Sequence, residues 1–426
     1  MLQFGLASCV FVVWAMSAES LFAESAQSQQ MDSCVECHRE ASEPTLSEPV
    51  RQAQDDVHSS RGFSCVNCHG GDPTQSDPKR AMDPTKGFIG TPDPSRMPSF
   101  CGKCHSNAEV MKKYNPSMRI DQTTEYSTSV HGKLAVKGDK NVATCVSCHG
   151  VHGIRRISDP NSPVYPTNVA ETCGHCHSNA EYMSRYAIAT DQVEKYRKSV
   201  HADALLTKQD LSAPTCNDCH GNHGAAPPGV TSIGNVCGVC HSRQSDLFQK
   251  SPHQAAFDAF GIGECLACHN NHDVTHPTDQ MLGVGPEATC VKCHNQGEAG
   301  FDAARIMRQD IEELSSNLQD ARALLDRAAK AGMEVSRPKF DLTAAQSTLV
   351  DARVVIHAFS PDELTKVTKP GVDVAMKAHR SGQQALEDLQ FRRKGLAVSL
   401  ILILIAIVSI YFKLRQIESR TRARTY

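Results

Sequence analysis

The chain has 426 residues with 47 acidic and 44 basic side chains and a formal charge of −3, a balance that excludes the strongly basic footprint of a nucleic-acid-binding protein. Aromatic residues make up only 5% and the single Trp is Trp14, yet there are 19 Cys and 20 His. Residues 24–300 are rich in Gly, Pro, Asn and Ser and lack sustained apolar periodicity, so side chains alone cannot build an ordinary interior there.

The N-terminal run Phe4 to Met16 is apolar and is followed by the small residues Ala18, Ser20 and Ala23, the pattern of a secretory signal over residues 1–23 with cleavage near Ser20 to Ala26. Leu6-Ala7-Ser8-Cys9 has the look of a lipoprotein box, but only eight residues precede Cys9 and the apolar run continues past it, which favours simple export.

Nine copies of Cys-x-x-Cys-His follow: Cys34/Cys37/His38, Cys65/Cys68/His69, Cys101/Cys104/His105, Cys145/Cys148/His149, Cys173/Cys176/His177, Cys216/Cys219/His220, Cys237/Cys240/His241, Cys265/Cys268/His269 and Cys290/Cys293/His294. A zinc site or a disulfide framework also uses paired cysteines, but neither requires histidine directly after the second one. Covalent haem attachment does: two thiols add to the two vinyl groups of one porphyrin, and the adjacent imidazole becomes the proximal iron ligand. Nine haem c groups are therefore expected over residues 24–300, with porphyrin as the packing core. Such attachment takes place outside the bacterial inner membrane, consistent with export.

Further histidines recur in register with these motifs. His131, His201 and His253 each stand 12 to 15 residues before a motif, and His152, His223 and His272 each stand three residues after a proximal histidine. This defines a repeated two-haem module with two extra histidines, the number bis-histidine ligation needs, so these six are expected to be distal ligands. A degenerate earlier copy has His58 before Cys65, but Asp72 occupies the place of the following histidine. The first and third motifs thus lack an obvious local partner, with His276, His175, Met82, Met97 or an open iron face as the alternatives. After His105 and after His177 the chain repeats Ser-Asn-Ala-Glu and continues to Ser129-Val130-His131 and Ser199-Val200-His201, which predicts one helix per module between motifs.

Beyond Gly300 the pattern changes. Ile311, Leu314, Leu318, Ala321, Leu325 and Ala328, then Leu342, Ala345, Leu349, Ala352, Ile356 and Phe359, follow heptad a/d spacing. They predict a helical hairpin turning near Gly332 to Pro338. A third helix starts at Ser360-Pro361 and is open to interruption at Pro370-Gly371. This stalk spans 301–392, and its seams could also pair with another helix or a second copy. His357 and His379 read as packing or surface residues of these helices. Leu396 to Phe412 is nearly all Leu, Ile, Val and Ala, long enough for a single transmembrane helix over 393–414. Three basic residues precede it and five follow in the tail 415–426 and its approach, so the C-terminus is expected in the cytoplasm and the haem region on the periplasmic side of the bacterial inner membrane.

These motifs resemble those of the multihaem cytochromes c. Ser-x-His before a motif, and Cys-His-Gly-x-His-Gly at Cys148 to Gly153 and Cys219 to Gly224, are similar to segments of membrane-associated cytochromes that carry electrons between quinol and periplasmic reductases. The resemblance implies an electron carrier with a quinone-linked membrane complex and other redox proteins as partners. Tetrahaem proteins of that kind have an N-terminal anchor, whereas this one is C-terminal. More distantly, long helices after the last motif resemble the pentahaem nitrite reductases and octahaem hydroxylamine oxidoreductases. That likeness implies a rival class, a periplasmic oxidoreductase acting on a small nitrogen or sulfur compound at one open haem. No motif here ends in the lysine such enzymes use. A third reading is a subunit that organises a larger respiratory complex. The expected fold is mainly α with much irregular loop: a haem-packed domain of two-haem modules, a three-helix stalk and one membrane helix.

Overall fold

A computed structural model describes residues 32–224 and 235–422; the expected signal segment lies outside them. Of the described residues 66% are helical and none lies in a strand, and the chain divides into two compact units. One comprises residues up to Arg96 together with Gly150–Arg156, and the other Met97–His149 and Ile157 onward.

Most helices in the motif region are one or two turns long. Several motifs form a helix of their own, as at Cys65–His69, Cys145–His149 and Cys216–His220. Ser64 and Thr215 close capping boxes with Asn67 and Asp218, satisfying backbone donors that so short a helix leaves open.

Where one helix per module was expected between motifs, the chain makes several. In the first repeat these are Ala108–Tyr114, Gln122–Thr128 and Val130–Val136; in the second, Ala180–Ser184, Gln192–Arg197 and Val200–Ala202, which widens into a π-turn at Asp203–Thr207. The repeated polar residues explain the breaks. Asn107 and Asn179 cap one set of helices, and Ser129 and Ser199 cap another, so each Asn or Ser starts a new helix rather than continuing the last. The second set carries His131 and His201.

Three long helices follow: α1 (Ala299–Lys330), α2 (Ser336–Val355) and α3 (Pro361–Arg422). The seam of α1, from Met307 through Leu314 and Leu325 to Ala328, packs against Leu342, Ala345, Leu349 and Ala352 of α2 and Leu364, Val372, Ala375 and Ala378 of α3. Several of these side chains are wholly buried, so this bundle is the main apolar core. Its first turn passes through Gly332 at φ +82°, and the second through Phe359 at φ +51°. The heptad reading holds as far as Ala352. Ile356 still packs against this core, half-buried, while Phe359 leaves the seam, because the chain tightens to a 3₁₀ turn over Ile356–Ala358 before reversing.

Helix α3 is not interrupted at Pro370-Gly371. A Cβ on Gly371 would stand 2.9 Å from Leu314 Cδ1 and 3.0 Å from Thr348 Cγ2. The glycine thus lets α3 approach both neighbours, and this packing outweighs the hydrogen bond lost at the proline. From 391 to 420 every side chain of α3 is exposed. This stretch is the one helix among the described residues long and apolar enough to cross a membrane, and it is a candidate anchor.

Candidate haem-binding site

The non-motif histidines find partners in a regular pattern. Two imidazoles on opposite faces of one iron, at a metal–nitrogen bond of about 2 Å, put their ring centroids about 6 Å apart. Among the described residues at least seven histidine pairs show that separation, each joining a motif histidine to a histidine from elsewhere in the chain.

In the first unit, His69 of the second motif faces His152 at 6.1 Å, with ring planes 24° apart. In the second unit, His149 faces His223 at 6.2 Å and 13°, and His220 faces His272 at 5.9 Å and 12°. His177 faces His131 at 6.1 Å and 56°, His241 faces His201 at 6.4 Å and 35°, and His294 faces His253 at 5.9 Å and 89°. His269 of the eighth motif faces His357, which the sequence reading assigned to packing or surface, at 6.2 Å and 21°.

A single rule orders these pairs. The histidine before a module's first motif stands against the module's second motif. The histidine after a proximal residue stands against the first motif of the preceding module, never against its own. The last module has no successor, and His357 takes the place that a next module would fill. That vacancy in the register was the sequence signal for His357.

Backbone geometry fixes the rings. In both full repeats a tyrosine hydroxyl donates to a carbonyl two residues ahead of a motif: Tyr126 to Ala143 O at 2.7 Å and Tyr196 to Pro214 O at 3.0 Å. In the third copy Phe248 occupies that position and packs against Phe257 and Phe359 instead. His69 Nδ1 is 2.9 Å from Gly90 O, and His357 Nδ1 is 2.9 Å from Val354 O. Donation from Nδ1 leaves Nε2 as the lone-pair nitrogen, the tautomer a metal-bound histidine takes.

Burial pushes His131, His149, His152, His177, His201, His220, His223, His253, His269, His272 and His357 below the ordinary imidazole value. They are therefore held neutral, the form able to ligate iron. His253 Nδ1 is buried without a hydrogen-bond partner. The paired rings, their separation and their tautomers fit haem.

The motif cysteines meet in chain order. Cys145 lies against Cys101, Cys216 against Cys173, and Cys237 against Cys265, each in thiol–thiol hydrogen-bond contact. Donation by its partner thiol holds Cys145, Cys216 and Cys237 below the usual thiol value. Within modules, Cys148 neighbours Cys176, Cys219 neighbours Cys237, and Cys268 neighbours Cys290. In the first unit Cys34 neighbours Cys65, and burial and the Asp32 carboxylate push Cys34 up to about 12. Within each unit, successive motifs are neighbours.

Four second cysteines depart from the expectation of a packed core. Cys37, Cys68, Cys240 and Cys293 are exposed, whereas Cys104, like the other second cysteines, is half-buried. Local backbone sets their positions. Cys37, Cys68, Cys104 and Cys240 lie one helical turn past the first cysteine of their motifs, on Ser33–Arg39, Cys65–His69, Met97–His105 and Cys237–Cys240, so both thiols share a helix face. Cys293 ends the 3₁₀ turn begun at Cys290 and donates its N–H to Cys290 O at 3.2 Å. Cys68 stays beside Cys65, Cys240 approaches Cys219, and Cys293 approaches Cys268. All remain candidate thioether positions, but Cys37, Cys68, Cys240 and Cys293 stand at the solvent side of their motifs rather than inside a core. The first cysteine of each motif is half-buried.

The other candidates have the following surroundings. His105 lies near His149. His58 Nδ1 is 2.9 Å from Asp56 Oδ1, beside Phe63. His175 lies on the Val169–His177 helix with its own motif, and His276 lies near Asp203. Met97 is buried and Met82 is 41% exposed. Among the described residues no histidine ring stands opposite His38.

Comparison with known proteins agrees with this geometry. Residues 57–178 match the family model described as cytochrome c3, and residues 258–299 match the doubled CXXCH motif. No curated protein and no solved structure matches the chain. The chain thus carries a cytochrome c3-like domain and paired CXXCH motifs, the hallmarks of a multihaem c-type cytochrome with covalently bound haem c.

Proposed function

We propose that the protein is a membrane-anchored nine-haem cytochrome c that passes electrons between a quinone-linked membrane partner and redox partners outside the cytoplasm. The observation that carries this reading is the order of the motifs, each neighbouring the next within its unit. Haem c bound there would supply reversible one-electron chemistry at iron. The chain's own task is to set spacing and environment: the cysteines would attach each macrocycle, and where imidazoles are paired the two neutral rings would together hold its iron. Two strong nitrogen ligands per iron leave little to rearrange between redox states, and they favour lower potentials than His/Met ligation.

The basic residues flanking Leu396 to Phe412 support an anchor in the bacterial inner membrane, with the C-terminus cytoplasmic. Helix α3 runs about 50 Å from Pro361 to Leu396 at 1.5 Å per residue. The eighth and ninth motifs adjoin the start of α1 and the corner before α3, so they lie far along that axis from the anchor. Tunnelling falls exponentially with distance, so these two sites are suited to a partner reaching beyond the bilayer surface, not to quinone within it.

Electron paramagnetic resonance of the detergent-solubilised, oxidised protein tests the reading. Entirely low-spin ferric signals, insensitive to cyanide and nitrite, are expected. A second reading, an oxidoreductase with one open iron acting on a small nitrogen or sulfur compound, draws on His38, which has no histidine ring opposite it among the described residues. A high-spin signal that shifts with nitrite or cyanide would establish that reading in place of the first.

A further inference from the structure

We propose that His357 is the distal iron ligand of the haem attached at Cys265, Cys268 and His269, so that a metal–ligand bond clamps the helical bundle to the electron-carrying region. This rests on the bis-histidine haem reading above and adds to it a ligand from outside the motif region.

Four observations converge on His357. Its ring stands 6.2 Å from His269 at 21°, within the range of His149/His223 and His220/His272 in distance and close to them in angle. Its Nδ1 donates to Val354 O at 2.9 Å, the i−3 carbonyl of its own helix end, which fixes the tautomer and frees Nε2. The residue falls where the register of distal histidines runs out, since no further module supplies one to the eighth motif. Lastly, the surrounding corner is built against the same region. Phe359, held at φ +51°, lies 4.0 Å from the His253 ring, so one reversal of the chain touches the distal ligands of both the eighth and ninth motifs.

Flanking ion pairs hold the corner in register. Arg353 binds Asp279 through two hydrogen bonds of 2.9 and 2.8 Å, and Asp351 pairs with Arg243 at 2.9 Å. These pairs are partly exposed and contribute little energy singly. They do orient the last turn of α2, and with it the imidazole. Loss of the iron bond would therefore loosen the bundle from the motif region as well as change one haem.

The test uses the full-length holoprotein in detergent. His357→Gly is expected to convert one low-spin haem to high-spin, with imidazole in the buffer restoring the low-spin signal by filling the vacated position. His357→Met, which keeps a ligating side chain of similar reach should the glycine variant fail to fold, is expected to give the sulfur-to-iron charge-transfer band of a His/Met haem and one raised potential. His379→Ala, on α3, should leave the spectrum unchanged. Haem stoichiometry by intact mass separates the two levels of failure. A wild-type chain without covalent haem would overturn the haem reading itself. A variant with unchanged haem count and unchanged low-spin spectrum would overturn the role of His357 alone.

Discussion

Asp56 accepts the backbone N–H of Ile154 at 2.8 Å, across 98 positions of sequence, while its other oxygen accepts the N–H of His58 at 2.8 Å. A second ladder bond, Val57 N–H to Ile154 O at 2.8 Å, runs beside it. One carboxylate, only 8% exposed, thus fastens the segment that carries His152 opposite His69.

Asp56→Ala should therefore act on iron ligation as well as stability. It leaves buried N–H donors unpaired, at a cost of about 1–3 kcal/mol, and it loosens His152. Thermal unfolding should fall, and the haem at His69 should gain high-spin character in the absorption spectrum; Asp55→Ala, at a more exposed carboxylate, should do neither. Burial would raise the Asp56 carboxyl, but the hydrogen bonds from His58 and Ile154 outweigh it and hold it below the usual 3.8. A folded value below the unfolded one means that this contribution is complete above the unfolded value and is lost as pH falls through the folded one. Wild type and Asp56→Asn should accordingly differ in stability at pH 7 and converge in strong acid.

Gly300 is required by the ring of His294. A Cβ there would stand 2.3 Å from His294 Nδ1, closer than any contact a folded chain accepts. Gly300→Ala should displace the proximal ligand of the ninth motif and change one haem's spin state, whereas Gly285→Ala, with nothing within 4 Å, should be silent. Magnetic circular dichroism of the two variants reads the difference.

Ring planes alternate along the chain. The pairs made by histidines following a motif are near parallel, 12° to 24°; those made by histidines preceding one are turned by 35° to 89°. Parallel imidazoles separate the iron d-orbitals strongly, and perpendicular ones leave them nearly degenerate. Frozen-solution electron paramagnetic resonance should therefore show two low-spin classes, a rhombic one and one of large anisotropy. His253→Ala should remove intensity from the second only. A single uniform class would contradict the alternation.

Among the described residues, truncation ahead of Leu396 removes only exposed side chains, since the buried seam of the bundle ends at Ala385. The shortened protein should leave the membrane fraction with its visible spectrum and bundle stability intact. Retention at the membrane would assign the attachment to another part of the chain.

Much of this was legible in the residues. The motif spacing specified haem attachment because thioether chemistry tolerates few alternatives, and the a/d pattern specified the bundle because an apolar stripe on a long helix has to be covered. What escaped was non-local. His357 sits in the 3₁₀ turn that ends an apolar-striped helix, where a lone histidine is ordinarily packing; the vacancy in the histidine register pointed to a missing ligand, and only the distance from His269 shows which residue fills it. The open placement of Cys37, Cys240 and Cys293 escaped because motif spacing fixes which thiols share a helix face, not which side of that helix the rest of the chain covers. The several helices between motifs escaped because Asn107 and Ser129 act through capping geometry rather than apolar periodicity. The continuity of α3 past Pro370 depends on Leu314 and Thr348, which no local window contains.

The most direct measurement is the intact mass of the mature protein purified from a host able to attach haem c. The account requires the polypeptide plus nine haem masses, one per Cys-x-x-Cys-His motif, lost one at a time when the cysteine pairs are replaced in turn. A mass equal to the unmodified chain would contradict it.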